Sequence, residues 1–197
     1  MTVAQFANVL DADGSISLTS LVPTAAAGVD TAYNVVIQLL DSAGYTTDAE
    51  YTWNGSSWEG TDVANVKFAP GQGLWVYSYC GDDPIGFQSS GKVMTSDVEF
   101  VLDKEYGAVG VGNAFPTPVK LTDMLVSAAA GVDTAYNVVI QILDSAGYTT
   151  DAEYTWNGTS WDGTDVDNVT FAPGQGLWVY SYCGNDEVTL RIPAPEL

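Results

Sequence analysis

Residues 34–60 read NVVIQLLDSAGYTTDAEYTWNGSSWEG, and the rhythm of their apolar positions decides the fold. NVVIQLL is a β-branched, apolar run, DSAG supplies turn residues, and YTTDAEYTW then alternates. In that second run Tyr45, Thr47, Ala49, Tyr51 and Trp53 share one face, and Thr46, Asp48, Glu50 and Thr52 share the other. Period two with one polar face predicts a half-buried strand in an antiparallel sheet. Asn54-Gly55 predicts a type I′ hairpin turn, which needs positive φ at both central residues. A two-residue turn puts Tyr51 opposite Trp58, and a four-residue loop puts Trp53 opposite Trp58. Either register leaves Tyr51, Trp53 and Trp58 on one face, away from Asp48 and Glu50. These aromatics are therefore expected to look inward, as structural staples of the hairpin.

Working outward, FAPGQG (68–73) is a turn, with Pro70 fixing φ and Gly71 and Gly73 free to take left-handed conformations. It feeds LWVYSYC (74–80), with Trp75, Tyr77 and Tyr79 on one face and Leu74, Val76 and Cys80 on the other. A strand apolar on both faces is central in a sheet or lies at an interface, which makes Trp75, Tyr77 and Tyr79 candidate interface or ligand aromatics. SLTSLVPTAAAG (17–28) offers one short helical turn, with an Ala run ending at Gly28.

An offset of 103 residues carries this whole pattern onto a second copy, and residues 25–83 differ from 128–186 at six of 59 positions. The hairpin aromatics recur as Tyr154, Trp156 and Trp161, the two-faced strand as Trp178, Tyr180 and Tyr182, and Cys80 as Cys183. The helical hint recurs as KLTDMLVSAAAG, ending at Gly131. So close a tandem duplication predicts a mainly β chain of two pseudo-symmetric, small antiparallel β-sandwich or barrel domains, residues 1–92 and 93–197. Two near-identical halves suggest two equivalent binding surfaces, or a subunit whose pseudo-symmetry helps it assemble.

Composition narrows the function. Five Lys plus Arg stand against 25 Asp plus Glu, a formal charge of −20, and there is no histidine. Nucleic acid and anionic membrane surfaces are poor partners for such a chain. No apolar run approaches the roughly 20 residues of a membrane-spanning helix, so no membrane insertion is expected. Without histidine there is no Ser-His-Asp or Cys-His arrangement and no imidazole metal ligand. PGQG opens a strand rather than a helix and so is no phosphate loop. No enzyme and no cofactor is expected, with Ca²⁺ at an Asp-rich turn left open. LDADGSIS (10–17) does not fit an EF-hand loop, because aligning Gly14 as the sixth position puts Val9 first and Ser20 twelfth.

Cys80 and Cys183 each end a WVYSYC strand. They read as small buried residues, as a bridge across the pseudo-two-fold axis, or as a bridge between subunits. Asn54, Asn157 and Asn168 head N-glycosylation sequons and are candidate glycan acceptors, although turn chemistry alone explains the first two. MTVAQFANVLDADG lacks the basic and long apolar regions of a signal peptide, so the chain is either cytosolic or a mature or recombinant form with its signal removed, and the second is expected.

VGVGNAFPTPVKLTDML (109–125), followed by IQILDSAGYTTDAEYTWNGTSWDG and FAPGQGLWVYS, resembles a repeat unit of secreted and cell-surface proteins of Bacteroidetes, Verrucomicrobia and relatives. Those units read as a Gly-Asn-Pro-Phe-Pro turn, an aromatic hairpin and a Pro-Gly-Gln-Gly-Phe-Trp-Val strand. Here Ala114 replaces the first proline, Leu74 and Leu177 replace the Phe, and the first copy largely lacks the Gly-Asn-Phe-Pro segment. The resemblance implies an extracellular module with no catalytic role. Two functions follow as expectations, the first the leading one and the second its alternative. One is a self-assembling structural subunit of a filament, sheath or surface layer, with TVAQFANVL or VTLRIPAPEL as a donated strand. The other is a carbohydrate-binding or adhesive module whose exposed Trp and Tyr stack on polysaccharide.

Overall fold

A computed structural model of the chain describes residues 2–4, 14–40, 46–88, 92–102, 108–144 and 149–195. The first half contributes β1 (Thr2–Ala4), β2 (Ile16–Ser17), β3 (Val22–Thr24), β4 (Val35–Leu40), β5 (Thr46–Trp53), β6 (Trp58–Glu59), β7 (Lys67–Phe68), β8 (Leu74–Ser78) and β9 (Gly86–Gln88). The second contributes β10 (Val98–Leu102), β11 (Ala108–Gly112), β12 (Val119–Lys120), β13 (Leu125–Ala128), β14 (Val138–Leu143), β15 (Thr149–Trp156), β16 (Trp161–Asp162), β17 (Thr170–Phe171), β18 (Gly176–Ser181) and β19 (Val188–Ile192). The fold is mainly β, antiparallel and sandwich-like. Helical structure among the described residues is confined to 3₁₀ turns. Two of them, Leu18–Ser20 and Leu121–Asp123, lie in the segments expected to turn, and Val63–Asn65 and Val166–Asn168 were not foreseen. The Ala runs before Gly28 and Gly131 end in tight turns rather than in helix.

Each half builds the same five-stranded sheet, β1-β8-β4-β5-β6 in the first and β11-β18-β14-β15-β16 in the second. Ile37 stands opposite Val76 on one side and Tyr51 on the other, so β8 and β4 are both interior strands. Their inward faces are apolar, and Val35, Ile37, Tyr51, Trp53, Leu74 and Val76 are buried together with Leu18, Leu21 and Phe68. The second half repeats this core around Val138, Ile140, Tyr154, Trp156, Leu177 and Val179. Smaller sheets close each core from the other side, β3-β9 in the first half and β10-β19-β13 in the second.

Of the two hairpin registers open to the sequence, the structure takes the wider loop. Trp53 pairs directly with Trp58, so the loop has four residues, Asn54 to Ser57, rather than a two-residue type I′ turn. Gly55 alone of the Asn-Gly pair has positive φ, at 99°. The Asn54 side chain explains the choice: its Oδ1 accepts from the backbone N–H of Ser56 and Ser57 at 3.0 and 2.9 Å, and its Nδ2 donates to Glu59 at 2.7 Å. An Asx cap of this kind satisfies the loop's own amides, which a type I′ turn would leave to solvent. Asn157 repeats the arrangement, with Asp162 in place of Glu59.

The C-terminal segment VTLRIPAPEL also differs from its expected role as a donated strand. Val188, Leu190 and Ile192 of β19 are wholly buried, and β19 lies between β10 and β13. Asp97 anchors the turn that follows: it accepts from the Arg191 guanidinium and from the Ala194 N–H, the latter at 2.8 Å. The Ala194 N–H first, and the Arg191 guanidinium second, hold the Asp97 carboxyl below its ordinary value. Of TVAQFANVL, Thr2–Ala4 pairs with β8 of its own half, and the rest lies outside the described residues.

The two halves touch where β8 begins. Gly73 donates to the Gly110 carbonyl at 3.0 Å, and Gln72 bridges to Val111, so the outer edge of β11 is capped by the first half. A Cβ on Gly73 would lie 2.6 Å from the Gly110 oxygen, and one on Gly71 would lie 2.2 Å from the Phe100 ring. The backbone contact requires glycine at 73, and at 71 the positive φ of 77° favours it while Phe100 would have to shift to admit a Cβ.

Asn113 gives the Gly-Asn-Ala-Phe-Pro segment a physical role. It is fully buried, its Nδ2 donates to the carbonyls of Thr117 and Phe171 at 2.7 and 2.9 Å, and its Oδ1 accepts from the Phe115 N–H at 2.8 Å. Asn113→Leu removes three bonds from a dry site, so a loss of roughly 3 kcal/mol is expected, at about 1 kcal/mol per bond. Urea unfolding measures this, and an unchanged midpoint would show that Asn113 does not organise the segment.

Candidate functional site

Strand alternation sends Trp75, Tyr77 and Tyr79 away from the core that holds Leu74 and Val76. The same face carries Gln38, in register with both Trp75 and Glu50. The result is an outward row in each half, with aromatic rings on one strand and amide and carboxylate groups on its neighbours. Trp75 and Tyr77 are half-buried, and Tyr79 is 66% exposed. In the second half Trp178 and Tyr180 are half-buried and Tyr182 is 47% exposed, with the Tyr180 and Tyr182 rings stacked at 6.4 Å.

The rows meet at their tryptophans. Trp75 and Trp178 pack edge to face with centroids 6.2 Å apart, so equivalent residues of the two copies touch across the pseudo-symmetry. From this contact the rows run outward through the half-buried tyrosines to the exposed ones. Val36 and Val139, paired with Tyr77 and Tyr180, stand on the same outer face and are largely covered there by the neighbouring side chains.

The polar groups are ordered in sequence. Tyr77 Oη donates to Gln38 Oε1 at 2.8 Å, and Gln38 Nε2 donates to Glu50 Oε2 at 3.2 Å. Gln141 Nε2 donates to Glu153 Oε2 at 3.0 Å in the other half. Burial, and then the neighbouring Tyr79 and Glu50, hold the Tyr77 phenol above its ordinary value of 10.0. Tyr180 is raised by burial, Tyr182 and Glu153 in the same order.

Sequence reasoning missed Tyr33 and Tyr136. Both are exposed, at 62% and 66%, and both have left-handed backbones, with φ of 61° and 60°. A bulky residue there is uncommon and strained. The backbone is fixed around them: Tyr33 N–H donates to Trp53 O at 2.6 Å, and Asn34 O accepts from Tyr79 N–H at 2.8 Å. Tyr33 therefore stands at the Tyr79 end of the sheet, and Tyr136 at the Tyr182 end. No sequence signal marks a non-glycine left-handed residue in the run DTAYN.

The hairpin aromatics occupy different ground. Tyr51, Trp53, Trp58, Tyr154, Trp156 and Trp161 are each 4–6% exposed, too buried to meet a ligand. Trp53 and Trp58 pack edge to face at 5.5 Å, and Trp156 and Trp161 at 5.4 Å. Trp58 Nε1 donates to Leu21 O at 2.7 Å and Trp161 Nε1 to Met124 O at 2.9 Å, tying each hairpin to a 3₁₀ turn.

Cys80 and Cys183 are free, half-buried thiols rather than a bridge within the chain. Each Sγ lies against a main-chain carbonyl fifty residues earlier, Asp30 at 3.5 Å and Asp133 at 3.6 Å. The sequon amides are engaged in turns: Asn54 and Asn157 cap the hairpin loops, and Asn168 Nδ2 donates to Asp165 at 2.7 Å. Asp11 and Asp13 of LDADGSIS, and Tyr45, lie outside the described residues. Among the described residues no three His, Cys, Asp or Glu side chains converge as a metal site. A cleft of about 340 Å³ at the junction is lined by Leu40, Pro70, Gln72, Glu99, Phe100 and Val101, among others.

No family model, no curated protein and no solved structure matches the chain.

Two outcomes test this geometry. Folding stability associated with Tyr77 and Tyr180 is intact below the ordinary phenol range, and is lost as pH rises through their raised titrations. In a phenolate absorbance titration, Glu50→Gln and Glu153→Gln should bring both late tyrosines down towards 10.0 without reaching it, because burial is the larger cause. Titrations unmoved by the substitutions would separate the carboxylates from the rows. Alkylation of the unreduced, denatured protein should add two labels per chain, whereas a Cys80–Cys183 disulfide would add none.

Proposed function

We propose that this is a non-enzymatic, extracellular module that binds polysaccharide through its two outward aromatic rows. The observation that carries the reading is the outward placement of Trp75, Tyr77 and Tyr79, duplicated as Trp178, Tyr180 and Tyr182. Sugar rings present C–H faces edged by hydroxyls, and an aromatic row bordered by Gln and Glu suits both. Rings on alternate residues of a strand are about 7 Å apart, so one row meets successive units of a chain molecule. Two rows on one chain add avidity without a new contact. The resemblance to secreted and cell-surface repeat units supports an extracellular location.

A second reading, the self-assembling filament, sheath or surface-layer subunit, keeps one specific support. Val22 and its equivalent Leu125 are exposed at 42% and 44%, a doubled apolar feature outside the rows. Within the single chain, residues 188–192 of VTLRIPAPEL pair in their own sheet as β19, between β10 and β13.

Retention on insoluble polysaccharides, followed by calorimetry with soluble oligomers, tests the first reading. Tyr79→Ala with Tyr182→Ala should weaken binding by about tenfold or more, as expected when exposed interface aromatics are truncated. No retention on any of a broad panel of neutral, amino and acidic polysaccharides would sink it. Concentration-dependent assembly in light scattering, abolished by Val22→Asp with Leu125→Asp, would favour the second.

A further inference from the structure

We infer that the rows select a cationic amino-sugar polymer over neutral and anionic polysaccharides, an inference that rests on the polysaccharide-binding reading above. Hydrogen-bond direction sets what the rows offer a ligand. The Tyr77 hydroxyl gives its only proton to Gln38, and Gln38 gives one amide proton to Glu50. What this chain leaves for a ligand is mostly acceptor capacity, ending in a carboxylate. Gln141 and Glu153 end the second row in the same way. A ligand rich in donors, above all an ammonium group, complements such an edge.

Charge points the same way. Asp48 and Glu50 are exposed on the outer face of β5, and Asp151 and Glu153 on that of β15. The basic residues of the chain are Lys67, Lys92, Lys104, Lys120 and Arg191, and none stands on β4, β5, β8, β14, β15 or β18. A protein of charge −20 with no cation on its rows repels uronic-acid and sulfated polymers and attracts polycations. The rings add a further preference, because the faces of Trp and Tyr attract ammonium groups within about 6 Å. An acidic surface alone would take any polycation. The aromatic rows, with Tyr79 and Tyr182 exposed at their ends, favour one whose charges ride on flat sugar rings.

Calorimetry on the intact protein decides this with β-linked hexamers of glucosamine and of N-acetylglucosamine, an oligouronate and oligolysine. The conditions are about pH 5.5 and moderate salt, where Glu is ionised and the amino sugar carries charge. The glucosamine hexamer should bind about tenfold more tightly than its N-acetyl counterpart, a difference that shrinks as salt rises. Glu50→Gln with Glu153→Gln should cut most of its advantage over the N-acetyl hexamer. Tyr79→Ala with Tyr182→Ala should weaken both hexamers, and Asp82→Asn, the residue already present at Asn185, should change neither. Equal or tighter binding of the N-acetyl hexamer or the oligouronate would overturn the selectivity and leave polysaccharide binding standing. Oligolysine binding as tightly as the glucosamine hexamer, with the same sensitivity to the tyrosine variants, would overturn it in favour of a basic peptide. Binding of none of the four, together with no retention on the wider panel, would remove both readings.

Discussion

The register that holds Ile37 between Tyr51 and Val76 determines most of what this chain presents to solvent. Side chains alternate along a strand, so the pairing that buries Ile37, Tyr51 and Val76 also turns Gln38, Glu50 and Trp75 outward. A slip of one residue would drive Gln38 and Glu50 into a core that has no partner for them, at a cost of several kcal/mol for an unpaired carboxylate. The register is thus fixed by what cannot be buried as much as by what is. β8 serves both sides at once, giving Leu74 and Val76 to the core and an aromatic row to the surface.

The hairpins show how a side chain can overrule a dipeptide preference. Asn-Gly favours a tight two-residue turn, yet Asn54 and Asn157 act as caps, accepting two loop amides each and donating to an acidic residue across the hairpin. The wider loop sets Trp53 against Trp58, and an edge-to-face pair of this kind contributes about 0.5–1.5 kcal/mol beyond its burial. Each Trp58-type indole then reaches a main-chain carbonyl beside a 3₁₀ turn, so the loop geometry is transmitted to the far side of the core.

The duplication extends further than sequence identity. β1 and β11 occupy the same place beside β8 and β18, but Thr2 stands opposite Val76 where Val109 stands opposite Val179. The link from the first strand is therefore longer in the first half, and the strands themselves differ, TVA against VGV. At the junction Gly110 packs against Leu40, Trp178 and Gly73, and a Cβ there would sit 3.0 Å from Leu40 Cδ1, so Leu40 would have to give way.

Much of the fold was legible because it depends on local periodicity. The alternation in TTDAEYTW, the turn residues in APGQG and the two-faced LWVYS each act over a few residues, so the mainly β, antiparallel architecture follows from the sequence, while the DSAG turn lies largely outside the described residues. The site was only half legible. Trp75, Tyr77 and Tyr79 could be grouped by parity, but parity does not say whether a second apolar face is covered. That was decided by the neighbours: Tyr79 is left 66% exposed, while the Trp75 end is closed by Trp178 of the other copy. The strained Tyr33 and the relay from Tyr77 through Gln38 to Glu50 depend on contacts between strands far apart in the chain. The sequence by itself determined which residues share a face, because a strand's two-residue period is a property of the backbone. Only the tertiary structure decided which faces are buried, because burial depends on what packs against them.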